Sequence, residues 1–363
     1  MAEDNYLKTT TMPETDRKCP NCGGTLTYDA KKGEMFCSLC GKHKSITDSP
    51  IKERTVESIP YDPDAIQPNT NWGDKSKLLI CANCGAEVIY GSTQISGNCP
   101  FCGSTNVSAA AETEGIMVPN GILPFAIDEK KAGQKFANYL FDKKYTPRGL
   151  KDCALENITP LYLPYWVFEA NTVSHYAIDI GFRDNDNNLY YKTCKGYFRK
   201  LITDVPVCAS SKVHNSQLEK IKKFAFYTAV PYSPEYLAGY YAERYSTTLS
   251  QGWESAQNII DEKLDKAIRA DEMAYQKGAE RSGSLNFNTE YSDIKYKYVI
   301  APVYLASFTY KGKKYDVAIN GESGEVTCDP PSTRRSRYIL FVALFVTIAA
   351  VIFLLICKLL LKN

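Results

Sequence analysis

Apolar positions along this chain hold one spacing for a stretch and then change it, and each change marks an element. Residues 122–125 form an apolar turn, and Asp128 then stands where a helix N-cap would. Ala132, Phe136, Tyr139 and Leu140 recur at helical spacing, so a short amphipathic helix is expected to end before Pro147. Residues 161–170, LYLPYWVFEA, are apolar on both alternating faces, the pattern of a strand buried from two sides. Residues 176–181 and 189–193 flank a polar stretch at 183–188 and predict a hairpin. Helical spacing returns over residues 234–280, with Leu237, Tyr240, Tyr241 and Tyr245 on an early face. Residues 246–252 are expected to break that helix. Trp253, Ala256, Ile259, Ile260, Leu264 and Ile268 then carry a second one. Alternation resumes at 297–310, 314–320 and 325–328, with turns at Lys311-Gly312-Lys313 and at 321–324. The words Leu163-Pro164-Tyr165-Trp166-Val167 and Ala301-Pro302-Val303-Tyr304-Leu305 occupy similar places, which suggests two related halves.

The last pattern is an unbroken one. Residues 338–357, YILFVALFVTIAAVIFLLIC, contain 20 positions without a charge. At about 1.5 Å per residue such a run would span roughly 30 Å, the hydrocarbon thickness of a bilayer. A tail-anchored, single-pass cell-membrane protein is therefore expected. Arg334, Arg335 and Arg337 precede the run and Lys358 and Lys362 follow it, so flanking charge barely orients it.

Cysteine spacing changes the picture at the other end. Eight of the 13 cysteines form two copies of one pattern, Cys19-x2-Cys22-x14-Cys37-x2-Cys40 and Cys81-x2-Cys84-x14-Cys99-x2-Cys102. Two residues between paired cysteines let the chain turn under one ion, and about 14 residues suffice for a hairpin that brings in the second pair. Gly23, Gly41, Gly85 and Gly103 each follow a second cysteine and can take the positive φ such a knuckle needs. Two structural Zn2+ sites follow, since four thiolates close the coordination shell and leave no position for a reacting water. His43 could exchange into the first shell, but that shell is already full. The alternative, a pair of disulfide modules, needs export. The polar N-terminus shows no signal-peptide apolar region, so thiolate sites place the bulk of the chain in the cytoplasm.

The expected plan is a disordered tail (1–16), zinc ribbon 1 (17–47), a proline-bearing linker (48–74) and zinc ribbon 2 (75–107). A short linker (108–118) leads to an α+β domain (119–329) with antiparallel hairpins and a long helical insertion. A basic juxtamembrane linker (330–337), the C-terminal transmembrane helix (338–357) and a short tail (358–363) complete it.

Charge then weighs on partners. Residues 1–112 hold 11 Lys or Arg against 14 Asp or Glu, and residues 113–333 balance at 27 each. Within the first ribbon Arg17, Lys18, Lys31, Lys32, Lys42 and Lys44 oppose Asp29 and Glu34. A zinc held by four thiolates carries about −2, which leaves that ribbon only about +2. A protein partner is therefore favoured over nucleic acid, whose binders display a stronger basic face.

The paired knuckles, residues 118–125 (VPNGILPF), 162–166 (YLPYW), Tyr236-Leu237-Ala238-Gly239, Ala242-Glu243-Arg244-Tyr245 and 319–324 (INGESG) together resemble a family of bacterial zinc-ribbon membrane proteins. Members often carry labels borrowed from their ribbons, such as transcription-factor-type zinc ribbon or primosomal protein N′. The resemblance implies architecture more than activity. A helicase reading fails, because no G-x4-G-K-[ST] loop is present and no nucleotide is expected.

Enzyme chemistry has little material. The three histidines, His43, His175 and His214, form no H-E-x-x-H, and Cys208 with His214 is the only close Cys/His pair outside the ribbons. Cys153, Cys194 and Cys328 read as buried apolar residues. Asp184, Asp186 and Asn188 imitate the start of a calcium loop, but Leu189 stands where that loop requires glycine. The sequence thus points to a non-enzymatic membrane protein whose ribbons and α+β domain recruit or organise a protein partner at the bilayer.

Overall fold

The computed structural model describes residues 18–46, 55–63, 72, 76–91, 98–110, 117–143, 147–210, 217–221, 224–331, 341–348 and 351. In chain order the elements begin with β1 (Leu26–Asp29), β2 (Glu34–Cys37), β3 (His43–Lys44), β4 (Ile59–Pro60), β5 (Ser76–Cys81), β6 (Glu87–Gly91) and β7 (Val107–Ala110). Next come β8 (Gly121–Ile122), α1 (Glu129–Asp142), β9 (Glu156–Arg183), β10 (Leu189–Cys208), β11 (Val230–Pro231) and β12 (Tyr241–Glu243). The chain continues through α2 (Leu249–Tyr275), β13 (Arg281–Tyr310), β14 (Lys313–Asn320) and β15 (Val326–Cys328).

The protein is mostly sheet, which corrects the α+β expectation. β1 to β3 form a three-stranded sheet, and the other strands form one sheet of 12. Its spine is β9 against β13, antiparallel, with strand lengths of 28 and 30 residues. The expected hairpins are present, β9 turning into β10 at 184–188 and β13 into β14 at 311–312, but their strands run well beyond 176–193 and 297–320. They read as separate in sequence because register shifts at Ser282/Leu285, Ser292/Lys295 and Leu305/Ser307 let one ladder bend without ending. The supposed helix from Pro234 is also revised: residues Pro234–Leu237 make one 3-10 turn, followed by β12. Tyr236, Leu237 and Tyr241 are buried there by the sheet rather than by a helical stripe.

The two similar words meet at the centre. Leu163 pairs with Ala301; one residue earlier, Tyr162 pairs in parallel with Ala242 and Ile300 in parallel with Ile122. An approximate two-fold therefore passes between β9 and β13. Here the spine is covered on both faces. Tyr162, Trp166, Phe168, Tyr298 and Ile300 enter one core, while Leu161, Leu163, Val167, Val299 and Ala301 enter the other. Full burial of each large side chain contributes about 1.5–3 kcal/mol, which explains why residues 161–168 are apolar at every position.

Both helices are set locally. Asp128 accepts the Lys131 N–H at 2.8 Å and starts α1, which buries Ala132, Phe136 and Leu140. Thr248 and Gln251 close a capping box at α2, whose Trp253, Ala256, Ile260, Leu264 and Ile268 lie on the sheet. Gly252, expected to interrupt this helix, lies inside it. A Cβ at that position would stand 2.6 Å from Trp166 Cδ1, so the glycine lets the helix approach the indole.

The stretch between the ribbons, expected as an extended linker, lies on the sheet where it is described. Ile59 pairs with Tyr296 and Pro60 with Lys295, and Val56 and Trp72 are buried.

The expected transmembrane helix at 338–357 is corrected as well. Among the described residues no helix is long and apolar enough to cross a membrane. Within that segment residues 341–348 and 351 are described as helical, and eight residues rise only about 12 Å. The rest of the segment lies outside the described residues. Hydropathy measured how apolar the run is, and not how far one helix continues through it. The tail-anchored membrane placement and the orientation built on it are withdrawn with it.

Candidate metal centres

Four short turns make the sites. The Gly23 N–H donates to the Cys19 carbonyl at 2.8 Å, Gly41 to Cys37 at 2.9 Å, Gly85 to Cys81 at 2.8 Å and Gly103 to Cys99 at 2.9 Å. Each glycine sits at φ between 70° and 73°, a left-handed conformation that a side chain would strain. The turn closes again one residue on, as Cys19 N–H donates to Gly24 O and Cys81 N–H to Ala86 O, at 2.6 and 3.0 Å. The same local word thus produces the same knuckle four times.

Each pair of knuckles converges. Cys19, Cys22, Cys37 and Cys40 place their sulfurs within 4.8 Å of one another, as do Cys81, Cys84, Cys99 and Cys102. Cys19 and Cys40 Sγ are 3.5 Å apart, as are Cys22 and Cys37; the second site shows 3.7 Å for Cys81–Cys102 and 3.6 Å for Cys84–Cys99. A tetrahedron with metal–sulfur bonds of about 2.3 Å has edges of about 3.8 Å, so the donor set fits such an ion. No disulfide joins these residues. The eight cysteines singled out by spacing are brought together in two groups of four, able to hold one metal ion each. His43 takes no part. Its Nε2 lies 3.1 Å from Lys32 Nζ, its Nδ1 3.7 Å from Glu34, and its ring packs at a tilt against Phe36.

Electrostatics divide the thiols. The Lys42 backbone N–H, helped by a hydrogen bond from Cys22, holds Cys40 down to about 6. At Cys102 burial, the largest influence, raises the pKa, yet the Ser104 N–H and the Asn83 amide together lower it to about 7. Burial pushes Cys99 well above its usual range. Cys40 and Cys102 are therefore the readiest thiolates, and a divalent cation must displace the proton from Cys99. With four sulfurs in place no coordination position stays open, so the arrangement can hold structure and offers no site for bound water to react.

The ribbons are joined to the body in different ways. In the first, Tyr28 donates its N–H to Ala238 O at 3.1 Å and its hydroxyl to Phe125 O at 3.3 Å, and its ring packs edge-on against Tyr236 and Tyr240. Lys31 adds an ion pair to Asp128 at 2.6 Å. The second is continuous with the large sheet. β5 carries Cys81 and pairs with β6, β6 with β12, and β12 with β9. Arg244 locks this junction, donating its N–H to Glu87 O at 3.0 Å and its guanidinium to the Glu87 carboxylate at 3.1 Å. Sequence reasoning assigned no role to Tyr28, Glu87 or Arg244. Their partners lie more than 90 residues away, beyond any local pattern.

The remaining candidates stay apart. Cys194 faces Glu272 of α2, Cys153 lies against the Gly149 and Thr309 carbonyls, and Cys328 is buried. His214, the partner considered for Cys208, lies outside the described residues. The calcium-like stretch is a hairpin turn, with Asp184 accepting the Asp186 and Asn188 N–H groups. Among the described residues no further group of three or more His, Cys, Asp or Glu side chains converges.

Neither a known protein family nor any solved structure matches this chain. It is 27% identical to the uncharacterized protein YdjG of Bacillus subtilis (strain 168) over 331 residues, covering 87% of this chain and 90% of that protein. The likeness is distant and extends over most of both chains.

Proposed function

We propose that this protein is a non-enzymatic double zinc-ribbon scaffold that binds a protein partner, of the bacterial zinc-ribbon kind that the sequence words resemble. The observation that carries this reading is the closure of both cysteine groups on rigid knuckles, with each ribbon fastened to one large sheet. Zinc is the metal that four thiolates at this spacing suit, and Fe–S clusters or softer ions are the alternatives to test. A scaffold of this type presents shape, and the chemistry of its metals is spent on holding it.

Nucleic-acid contact through the lysines of the first ribbon is the rival. Two of those side chains are already engaged, Lys31 in an ion pair with Asp128 and Lys32 in a hydrogen bond with His43, and phosphate would have to draw both away. The deciding experiment is capture from cells making the tagged full chain, with and without nuclease, beside the Cys22→Ser and Cys84→Ser variants. One protein retained in stoichiometric amount after nuclease and lost from a cysteine variant supports the scaffold. Capture that nuclease abolishes, or that neither cysteine change affects, refutes it.

A further inference from the structure

β10, β9 and β13 continue as a three-stranded ribbon, and α2 covers one of its faces. Tyr176 donates to Glu272 and Tyr291 to Asp261, which places those rings under the helix. Strand alternation sends the residues between them to the other face. There, Tyr191, Lys195, Tyr197 and Arg199 stand exposed on β10.

Tyr191 lies in a prepared seat. A Cβ at Gly181 of β9 or at Gly283 of β13 would come within 3.2 or 3.0 Å of the Tyr191 ring, so two neighbouring strands carry glycine where the ring crosses them. Glycine inside a strand weakens it. An aromatic ring laid over strand glycines restores some of that loss, which explains the seat but not what surrounds it. Tyr191 remains 49% exposed and Tyr197 63%. The Arg281 and Arg199 guanidinium groups stand 5.9 and 5.0 Å from their ring centroids. Residues 189–203 hold Lys192, Lys195, Arg199 and Lys200 and no acid. Among the described carboxylates on this face, Asp179 is held by Thr193 and Ser284 and Glu280 is paired with Arg183, while Glu290 and Glu169 follow along the ladder away from Tyr191.

We propose that this face, which no described element covers, binds single-stranded nucleic acid, with bases stacking on Tyr191 and Tyr197 and phosphates set against Lys195, Arg199 and Arg281. A ring beside a cation suits a ligand in which flat apolar groups and negative charges alternate along a chain. An acidic peptide supplies the charge without the flat groups. A duplex hides its base faces in the stack. The tyrosines are six residues apart on one strand, about 20 Å, so one chain of several nucleotides reaches both. This surface is separate from the lysines of the first ribbon, and the proposal does not rest on the scaffold reading.

The test uses the full chain and a fluorescein-labelled 20-mer of oligodeoxythymidine, read by anisotropy at low and near-physiological salt. Micromolar or tighter binding at low salt is expected, weakening steeply with salt and at least tenfold tighter than to a duplex of equal length. Tyr197→Ala should weaken it by about 5- to 150-fold, the range that losing one stacked base gives, while Tyr197→Phe keeps it. Tyr197 projects into solvent, so its removal leaves fold and metal content unchanged. Arg199→Ala should lower the salt slope by about 1. Absence of binding at low salt, equal affinity for duplex, equal displacement by poly-glutamate, or loss only when Lys42 and Lys44 become Glu would each overturn the assignment.

Discussion

Replacing Gly252 by alanine isolates the packing of α2 on the sheet, because the same change elsewhere has the opposite sign. In an open helix, glycine to alanine stabilises by about 0.8–1 kcal/mol through the unfolded chain and the helix backbone. Gly133 in α1 meets that condition, since a methyl group there would meet nothing within 4 Å. At Gly252 the added methyl would lie 2.6 Å from Trp166 Cδ1 and 3.3 Å from Cγ. Comfortable carbon contacts are about 3.5–4.0 Å, so helix and indole must separate by about 1 Å. The indole resists, since it is fully buried and its Nε1–H donates to Thr247 O at 3.0 Å. Overpacking of this kind costs about 1–3 kcal/mol, and a weakened hydrogen bond adds about 1 kcal/mol. Set against the propensity gain, Gly252→Ala should destabilise by about 1–3 kcal/mol and Gly133→Ala should stabilise by about 0.5–1 kcal/mol. Urea unfolding followed by tryptophan fluorescence measures both, with the slope unchanged if only the folded state is altered. A Gly252→Ala protein as stable as the parent, or more so, would show that the helix does not rest on Trp166 as described.

Metal analysis of the purified chain should find two zinc ions, with Cys22→Ser and Cys84→Ser each removing one; a count of zero, or iron in their place, would end the zinc assignment. Because binding to such sites is worth on the order of 10–16 kcal/mol, each loss should unfold its own ribbon. Hydrogen exchange should show the Cys84→Ser effect spreading into β6 and β12, which share ladder bonds with the site, and unchanged protection in those strands would contradict the junction. Metal retention should fall as pH drops, because protons compete with the metal for the cysteine thiolates. The sign follows from ligands needing to be deprotonated, and retention that rises toward acid pH would refute it. Arg244→Ala should cost about 1–3 kcal/mol by leaving the part-buried Glu87 carboxylate without its partner. Thermal unfolding of that variant within about 0.5 kcal/mol of the parent, the usual range for a surface substitution, would mean that the pair does not hold the second ribbon.

The metal sites were legible in the sequence because every part of a knuckle is local. Two cysteines, the residues between them and one glycine decide the turn, and the structure repeats it at Gly23, Gly41, Gly85 and Gly103 with nearly one φ. The start of α1 was legible for the same reason, since Asp128 caps an N–H three residues away. So was the burial of 161–168, where apolar residues at every position leave no face for water.

Residue order alone was enough for features whose interactions close within a few positions: the knuckles, the helix cap, the turns and the two-sided strand. Folding in three dimensions had to settle where ladders continue, and so how long β9, β10 and β13 become, that the second ribbon shares their sheet through β12, and that Pro60 lies against Lys295. It also settled that Gly252 serves an indole 86 positions earlier instead of ending a helix, and that the described part of 338–357 is too short a helix to cross a bilayer. The difference is one of range. Strand pairing and close packing depend on partners that sequence distance conceals, whereas a hydrogen bond to the fourth residue on needs no partner from elsewhere.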